Sequence, residues 1–398
     1  MRCGLFLYNF LYSFSLPVLL TAAKIISKKR GGFSVKRRFS SFPSNIDGRD
    51  TWIHCASIGE VNSARPLIER LRDRAVVTTF TDYGADRASK IFPNVPVHVI
   101  PPDVKPFTDY FVKRLGVKKL LIYETEVWPS LLTSALEQGV EIYFVSGKIT
   151  ERSFSLYKRF SFLLSDIFRS SVFLARTQED AEKAQKLGFF DVKVVGDLKF
   201  DSVREPEPVE VSIGSRYPIV VWGSTHEGEE ELAGEVHRKL KEMFPEILTV
   251  VVPRHIGRAE NLIPLLPGRS VLRTQSAKVP SDVDFYIVDT VGELPGFYSI
   301  ADVAVIGGTF NERIGGHNPL EPMVSAIPVI VGPYYSHFRD VISKVKECII
   351  FASSENLFDK ISLLLNNDEF RYRIGLCGKK LLEREKGVTE RILKEVFA

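Results

Sequence analysis

The segment Thr51-Trp52-Ile53-His54-Cys55-Ala56-Ser57-Ile58-Gly59-Glu60 (TWIHCASIGE) sets the fold class of this chain. Its first six residues, 51–56, have the composition of a buried strand, and the polar turn after them leads into a helical pattern over 61–73. A strand that passes through a short loop into an amphipathic helix is the first half of a βαβ unit. Repeated units of this kind build a parallel sheet.

The same alternation continues along the chain in two blocks. Strand-like runs lie at 75–80, 95–100, 118–123, 140–145, 172–175 and 192–195, and again at 218–222, 247–252, 284–288, 302–306, 327–331 and 348–351. Helical patterns lie between them, as at 128–138, 178–187, 227–243, 318–326 and 354–366. Between the blocks, 201–217 carries charges, Pro206 and Pro208 without periodicity, which indicates a linker. We predict two doubly wound, Rossmann-like α/β domains, 31–200 and 218–398, with the last helix able to pack back on the first domain. The cleft between two such domains is a natural ligand site.

An apolar run from Leu5 to Ile26 precedes the first domain and is near the length that crosses a bilayer. Basic residues follow this run from Lys28 to Arg38, whereas only Arg2 precedes it, which favours a cytoplasmic body over a cleaved signal peptide. We therefore predict that 1–30 is a membrane anchor that leaves the body of the chain on the cytoplasmic side. Asn9 and Pro17 leave open whether it spans the bilayer or lies in its interface.

Charge is distributed unevenly along the 398 residues, whose formal net charge is +4. Residues 1–50 hold nine Lys or Arg against two Asp, so this segment carries +7 and the remainder −3. An apolar run followed by positive charge suits anionic membrane lipids, with the basic segment Lys28–Arg38 on their headgroups, better than nucleic acid. The four cysteines, Cys3, Cys55, Cys348 and Cys377, are far apart and form no Cys-x-x-Cys pair, so we expect neither a disulfide nor a zinc site.

Two polar clusters follow strands of the first block, at the edge where open α/β sheets bind ligands. Ser57, Gly59 and Glu60 open a helix, where Glu60 is either functional or a helix-dipole glutamate. Glu124 and Glu126 follow the strand at 118–123, just before Trp128 and Pro129. Acidic capping of the next helix is the alternative, although it explains one glutamate more readily than two.

Three clusters follow strands of the second block. Ser224 and Thr225 precede an acidic run, 227–231, and offer hydroxyl donors for an anion at a helix start, while the run itself is interpreted as a solvated face. Arg254 and His255 end a strand, and Arg254 suits a phosphate or carboxylate unless it forms a surface ion pair. Gly292-Glu293-Leu294 precedes a helical stretch and is a weak signal alone.

The segment 307–322 holds the densest set of candidate residues. Gly307 and Gly308 end a strand and allow a ligand to approach the backbone closely. Asn318 and Glu321 are three residues apart and share a helical face. A buried glutamate there can accept both hydroxyls of a ribose.

Taken together, these segments closely resemble the bacterial 3-deoxy-D-manno-octulosonic acid (Kdo) transferases of lipopolysaccharide assembly. The matching segments run in family order: 57–60, 124–129, Gly196-Asp197-Leu198-Lys199-Phe200-Asp201, 224–231, 252–255, 292–294, 307–308 and 315–322. The resemblance implies a glycosyltransferase of the B-type fold that uses CMP-Kdo as donor and a lipid A precursor, lipid IVA, as acceptor. It also implies Glu60 as general base and a location at the cytoplasmic face of the inner membrane. Attack from the face opposite CMP is expected to invert the anomeric carbon.

Site residues follow from the same resemblance. On the acceptor side it implies Ser57, Gly59, Glu124, Glu126, Lys148 and Arg152. On the donor side it implies Ser224, Thr225, Arg254, His255, Gly292, Glu293, Leu294, Gly307, Gly308, Asn318 and Glu321. The chain departs from the family pattern at 146–150 (SGKIT), where the family tends to have Asn-Ala-Arg-Leu-Ser, and at His337-Phe338, where it has Asn-Phe.

We expect no cofactor and no metal. The metal signature Asp-x-Asp occurs once, at Asp282 and Asp284, ahead of a strand, and is interpreted as a surface turn. A sugar-nucleotide epimerase of the same architecture and a catalytically inactive lipid- or nucleotide-binding protein are the alternative functions. The oligomeric state stays undetermined.

Overall fold

The computed structural model describes residues 4–15, 34–40, 43, 46, 48–213 and 218–398. The chain divides into two units, of which the first is Met1–Ser202 with Lys386–Ala398 and the second is Val203–Glu385. Each unit is built on its own sheet, so the predicted pair of Rossmann-like α/β domains is confirmed.

Parallel pairing orders the seven strands of the first sheet as β3-β2-β1-β4-β5-β6-β7. The strands are β1 Thr51–Cys55, β2 Ala75–Thr79, β3 Val97–Val99, β4 Lys119–Tyr123, β5 Glu141–Gly147, β6 Ser171–Ala175 and β7 Asp191–Val194. The chain order reverses between β1 and β4, and such a switch point is where doubly wound sheets open a crevice for ligands.

Helices cover both faces of this sheet. They are α1 over 4–15, α2 Val35–Ser40, α3 Ile58–Ser63, α4 Arg65–Arg70, α5 Asp82–Ile91, α6 Lys105–Leu115, α7 Pro129–Glu137, α8 Glu151–Arg159, α9 Ser161–Arg169 and α10 Gln178–Leu187. One core contains Trp52, Phe144 and Phe173, and the other contains Ile53, Leu121 and Val145. Because neighbouring residues of a strand enter opposite cores, the central strands are apolar throughout.

The second unit repeats this architecture with the strand order β10-β11-β9-β8-β12-β13-β14. Its strands are β8 Ile219–Thr225, β9 Leu248–Pro253, β10 Ser270–Leu272, β11 Phe285–Ile287, β12 Val303–Ile306, β13 Val329–Val331 and β14 Ile349–Phe351. Its helices are α11 Glu229–Met243, α12 Ala259–Leu262, α13 Leu294–Ser299, α14 Leu320–Val324, α15 Arg339–Val345, α16 Leu357–Asn366 and α17 Asp368–Glu385. The switch point lies between β8 and β12. Sequence patterns missed only the edge strand β10 of this sheet, because its three residues are too few to show a period.

The segment predicted as a linker packs against the second unit over part of its length. The Ser212 N–H donates to the Ala277 carbonyl at 3.0 Å, and the Val279 N–H donates to the Ser212 carbonyl at 2.8 Å. Residues 214–217 lie outside the described residues.

The last helix, α18 (Val388–Phe397), belongs to the first unit. Its residues Val388, Ile392 and Val396 are buried in the core that contains Ile53. Asp201 fixes the start of the helix, because its two carboxylate oxygens accept the Gly387 N–H at 2.8 Å and the Thr389 N–H at 2.6 Å. A carboxylate distant in sequence thus satisfies two N–H groups that a helix leaves without partners.

The segment predicted as a membrane anchor is described over 4–15, whereas 1–3 and 16–33 lie outside the described residues. Over 4–15 it forms α1, which contacts the first unit through Tyr8 and Asn9. The Tyr8 hydroxyl donates to Asp103 at 2.7 Å, and Asn9 accepts the Lys105 N–H at 2.7 Å. Within the described residues, the helices are too short or too polar to traverse a bilayer.

A disulfide joins Cys348 to Cys377, with Cα atoms 5.4 Å apart. The expectation of no disulfide was therefore wrong. The two cysteines are 29 residues apart in sequence, so their spacing gave no signal, and only the packing of α17 against the segment before β14 brings them together.

Asp201→Ala should lower the free energy of unfolding by about 1–2 kcal/mol, because two N–H groups of α18 lose their acceptor. Equilibrium urea unfolding measures this loss, and limited trypsin digestion should show faster cleavage near Lys386. Glu390→Gln is the matched control on the same helix, since its ion pair with Arg70 is exposed. Equal stability of Asp201→Ala and Glu390→Gln would contradict the assigned role.

Candidate functional site

The predicted site residues lie after the carboxyl ends of strands, many of them at the two switch points, where the backbone is also strained. Glu124, Ser146 and Ser224 have φ of +57°, +51° and +60°, values that side chains other than glycine rarely adopt. Each of them lies at the carboxyl end of a strand: β4, β5 or β8. Among the described residues Ala326, which follows α14, also has a positive φ, so three of these four residues lie at the edges that the sequence singled out.

Glu60 stands in the first turn of α3, next to the end of β1. Its carboxylate accepts the Ala56 N–H at 2.7 Å and the Ser57 hydroxyl at 3.3 Å, while Ser57 caps the helix by accepting the Glu60 N–H. Burial, together with the charges of Glu124 and Glu126, raises the pKa of Glu60 to about 8, although the two donors oppose the shift. A carboxyl that titrates near neutral pH is suited to accept a proton.

Glu126 is held by a hydrogen-bonded chain that starts in the core of the sheet. The Trp52 indole donates to Thr78 at 2.7 Å, Thr78 contacts Nδ1 of His54 at 2.8 Å, and Nε2 of His54 contacts Glu126 at 2.8 Å. With Thr78 donating to Nδ1, Nε2 carries the proton that Glu126 accepts. Burial favours a higher pKa for Glu126, but the His54 contact outweighs it and lowers the pKa. Sequence analysis missed His54, because a histidine inside a strand gives no signal.

Glu124 and Ser146 position the turns after β4 and β5. The Glu124 carboxylate lies 3.6 Å from the Lys199 ammonium group. The Ser146 hydroxyl donates to the Gly196 carbonyl at 3.0 Å and accepts the Leu198 N–H at 2.9 Å. The first half of the family-like segment 196–201 is therefore tied directly to the edge of the sheet.

The predicted acceptor-side cations occupy different environments. Lys148 is partly buried, and its backbone N–H donates to Thr125, within the turn that carries Glu124 and Glu126. Arg152 is exposed on the first turn of α8, and its role stays a prediction.

Arg38 corrects the expectation that the basic segment Lys28–Arg38 as a whole contacts headgroups. It is buried, donates to the carbonyls of Ile100 and Phe80, and stacks on the Phe80 ring at 4.4 Å. Burial lowers its pKa to about 10. Arg38 therefore stabilises the first unit, and residues 28–33 lie outside the described residues.

A groove of about 390 Å³ lies at the carboxyl ends of β8 and β9 in the second unit. Its lining is Ser224, Val252, Pro253, Arg254, His255, Ile256, Gly257, Thr290, Val291, Gly292 and Leu294. Predicted donor residues from three separate segments of the sequence thus face one groove. Arg254 and His255 are exposed in it.

The glycine-rich segment after β12 is held by Glu229. Its carboxylate accepts three backbone N–H groups: Gly308 at 2.7 Å, Phe310 at 3.0 Å and His226 at 2.9 Å. A Cβ on Gly307 would lie 2.4 Å from the Ser224 carbonyl oxygen, so only glycine allows the two switch-point loops to approach this closely.

The interpretation of 227–231 as a solvated acidic face was therefore wrong for Glu229 and Glu230, which are buried. Glu230 accepts the Thr225 hydroxyl at 2.9 Å and Arg258 at 3.0 Å. This contact also corrects the role of Thr225, because its fully buried hydroxyl donates to Glu230 and not to a ligand. Period-based analysis could not separate these glutamates from their exposed neighbours.

Glu293 and Asp284 each form ion pairs within the second unit. Glu293 contacts Arg273 at 3.1 Å and accepts the Thr290 hydroxyl, so it positions the turn whose Gly292 and Leu294 line the groove. Asp284 is buried and pairs with Lys241, which makes the predicted surface turn correct for Asp282 alone.

Asn318 and Glu321 lie next to each other at the start of α14. The Asn318 amide reaches the Glu321 carboxylate at 3.5 Å, and its carbonyl oxygen accepts the Leu320 N–H at 3.1 Å. Burial raises the pKa of Glu321 to about 7. A carboxyl in such surroundings lacks strong internal donors and is suited to accept hydroxyl groups from a ligand.

Comparison with known proteins assigns both units. Residues 33–202 match the family described as 3-deoxy-D-manno-octulosonic-acid transferase (Kdo transferase), and 237–381 match glycosyl transferases group 1. The UDP-GlcNAc 2-epimerase of Neisseria meningitidis, solved with UDP-GlcNAc, superposes with a TM-score of 0.57 over 87% of this chain and 100% of that chain. Its sequence identity is 14%, so the likeness is one of fold.

The similarity to curated relatives identifies the family of this chain. The chain is 30% identical to the 3-deoxy-D-manno-octulosonic acid transferase of Rickettsia felis, over 79% of this chain and 71% of that protein. It is 27% identical to the enzyme of the same name from Haemophilus influenzae, over 98% and 97%. It is 30% identical to a bifunctional glycosyltransferase/methyltransferase of Fusobacterium nucleatum, and there the match covers 87% of this chain but 57% of the relative. The chain belongs to the 3-deoxy-D-manno-octulosonic acid transferase family and is a glycosyltransferase.

Proposed function

We propose that this protein transfers Kdo from CMP-Kdo to a hydroxyl of a lipid A precursor such as lipid IVA, with inversion and without a metal ion. Family membership supports the sugar, and the position of Glu60 carries the mechanism. Glu60 is the one predicted catalytic residue, it stands at the switch point of the first sheet, and its pKa lies near 8.

The reaction exchanges one C–O bond at the anomeric carbon for another and moves one proton. A glucosamine hydroxyl oxygen attacks the anomeric carbon of Kdo while the bond from that carbon to the CMP phosphate oxygen breaks. Glu60 in its ionised form accepts the hydroxyl proton, and CMP leaves with the bonding electron pair. Attack on the face opposite CMP inverts the configuration.

Residues of the second unit hold the donor in this proposal. Arg254 offers a fork of N–H groups to the phosphate, next to Ser224 in the same groove. Asn318 and Glu321 accept the ribose hydroxyls, and Gly307 and Gly308 let the nucleotide approach the backbone. The N–H groups of Arg254 and the hydroxyl of Ser224 stabilise the negative charge that develops on the leaving phosphate.

Two alternative functions, a sugar-nucleotide epimerase and an inactive binding protein, can be separated from the proposed transfer by its products. The fold is shared with a UDP-GlcNAc 2-epimerase, but fold alone does not transfer its reaction. An inactive lipid- or nucleotide-binding protein would bind donor without turnover. Incubating the protein with CMP-Kdo and a tetraacylated lipid A precursor in detergent and EDTA, with mass spectrometry of the products, separates all three. Product that appears only with magnesium would exclude the metal-free mechanism.

The transfer rate should rise with pH, reach half its maximum near pH 8 and level off above it, because Glu60 must be ionised to accept a proton and its pKa is raised to about 8. Glu60→Gln should lower turnover by roughly 10²–10⁴-fold and leave CMP binding unchanged. Initial rates from pH 6 to 9 and CMP titrations measure both effects.

Two further variants test whether the pKa of Glu60 sets the pH dependence of transfer. Glu124→Gln removes one of the charges that raise the Glu60 pKa, so the acidic limb of its pH profile should move to lower pH. Glu69→Gln, an exposed change on α4, should keep the wild-type profile. A flat profile for the wild type, or normal turnover by Glu60→Gln, would remove Glu60 from the proposed mechanism.

The proposal includes a lipid surface as the partner of α1. One side of α1 contacts the first unit through Leu5, Tyr8 and Asn9. The opposite side exposes Phe6, Leu7, Phe10, Leu11 and Phe14, with Phe6 74% and Phe14 84% exposed. The stripe lies in the segment that carries the excess positive charge, and a basic segment with an exposed aromatic stripe is typical of helices that lie in a bilayer interface.

Replacing Phe6, Phe10 and Phe14 together by Ser should lower binding to vesicles rich in phosphatidylglycerol by at least about tenfold, since each buried ring contributes about 1.5–3 kcal/mol. Co-sedimentation with vesicles measures the bound fraction. Tyr372→Ser, an equally exposed aromatic residue on α17, is the control and should bind as the wild type does. Unchanged binding by the triple variant, or a change in oligomeric state without a change in lipid binding, would contradict this role.

A further inference from the structure

A pair of histidines forms a hydrogen bond beside the donor groove of the second unit. Nε2 of His226 and Nε2 of His317 are 2.7 Å apart, and the two rings are parallel. His226 follows β8 and His317 follows β12, so the pair bridges the switch point between these strands. Gly308 faces His317 so closely that a Cβ there would lie 3.0 Å from the His317 ring.

The Nε2–Nε2 contact restricts the protonation states of the pair. One of the two nitrogens must carry a hydrogen and the other a lone pair. The neutral pair meets this condition with opposite tautomers. Adding one proton keeps the bond and makes its donor cationic, which strengthens it. Adding a second proton places a hydrogen on each nitrogen and breaks the bond. The pair can therefore accept one proton without rearrangement, but not two.

The side chains around the pair are mostly basic. Arg254, His255 and Arg258 face it from the segment after β9, and His337 faces it from the turn before α15. The His255 ring lies 5.9 Å from that of His226. The acidic groups on this side, Glu229 and Glu230 of α11, are occupied by three backbone N–H groups and by Arg258.

These surroundings keep the pair neutral as long as the groove holds no anion. Burial and the neighbouring cations lower the pKa of His226, and they lower that of His317 to about 4. Among the described residues, no acidic side chain forms an ion pair with Arg254 to offset this charge. An oxyanion placed between Arg254 and the pair would supply the missing negative charge and favour the protonated form.

We propose that His226 and His317 form a proton-accepting oxyanion site, which takes up one proton when an anionic group of the donor binds beside Arg254. The inference rests on the proposed donor, CMP-Kdo, which carries two such groups, the phosphate and the sugar carboxylate. Either group can act as the oxyanion that binds beside Arg254. A proton taken up on binding also places a cationic donor against the oxyanion, which adds to its stabilisation.

Because donor binding takes up a proton, its affinity should increase as the pH falls. The free pair is neutral near pH 7, so each bound oxyanion brings about one proton from solvent, and affinity should rise about tenfold for each unit by which pH falls in this range. Isothermal titration calorimetry in buffers of different ionisation enthalpy counts the protons directly. The probes are cytidine, CMP and freshly prepared CMP-Kdo, each without acceptor.

Two variants isolate the contribution of the pair. Replacing both histidines together, His226→Gln with His317→Gln, keeps two hydrogen-bonding groups but leaves no imidazole in the pair to hold the proton, so this double variant should lose about one proton of uptake and the tenfold pH dependence. The ionisation of the CMP phosphate itself is common to wild type and variants and cancels in the difference. His98→Gln, the same change in the first unit, should keep the wild-type values.

The probes distinguish the possible outcomes. Uptake with CMP but not with cytidine supports the proposal and assigns the phosphate as the oxyanion. Uptake with CMP-Kdo alone supports it and assigns the carboxylate. Binding of CMP and CMP-Kdo with no difference in proton count between wild type and the double variant would overturn the histidine site and leave the proposed function intact. Failure of both nucleotides to bind would overturn the donor assignment itself, and the histidine site with it.

Discussion

Burial of the central strands on both faces is the constraint on which the rest of this protein depends. A parallel sheet covered by helices has no face on which a polar side chain can reach a ligand, so chemistry is confined to the ends of the strands. In both units the polar residues accordingly collect at the carboxyl ends of strands, after β1, β4 and β5 in the first unit and after β8, β9, β11 and β12 in the second. The left-handed residues Glu124, Ser146 and Ser224 turn the chain sharply at these ends.

The glutamates at these edges differ in their hydrogen-bond partners, and the partners determine whether a glutamate holds the fold or can accept a proton. Glu229 accepts three backbone N–H groups and is thereby committed to holding a loop. Glu126 is matched to His54, which lowers its pKa. Glu60 accepts one backbone N–H and a long contact from Ser57, and burial together with neighbouring carboxylates raises its pKa. One residue type thus takes three roles, which its local donors decide.

The periodicity of apolar residues and the polar residues of the loops made the fold largely predictable from sequence. Alternating apolar runs indicated both sheets, and the positions of Glu60, Glu124 and Gly307 at strand ends followed from that pattern. What could not be predicted depends on contacts between distant residues. The burial of Glu230 needs Arg258, the disulfide needs the packing of α17, and the pairing of His226 with His317 joins loops 91 residues apart. No local pattern carries such information.

The family-like segment 196–201 shows why a matching motif does not by itself identify a ligand contact. Asp197 is buried 3.4 Å from Arg176, the backbone of Gly196 and Leu198 binds Ser146, and Asp201 fixes the start of α18. Each of these contacts stays within the first unit and leaves the polar groups satisfied. The segment therefore stabilises the edge on which Glu124 and Lys148 stand. A motif with its donors and acceptors paired internally is architectural. Arg254 differs, because within the described part of the chain it forms no ion pair with an acidic side chain, and this supports its proposed role in binding the donor.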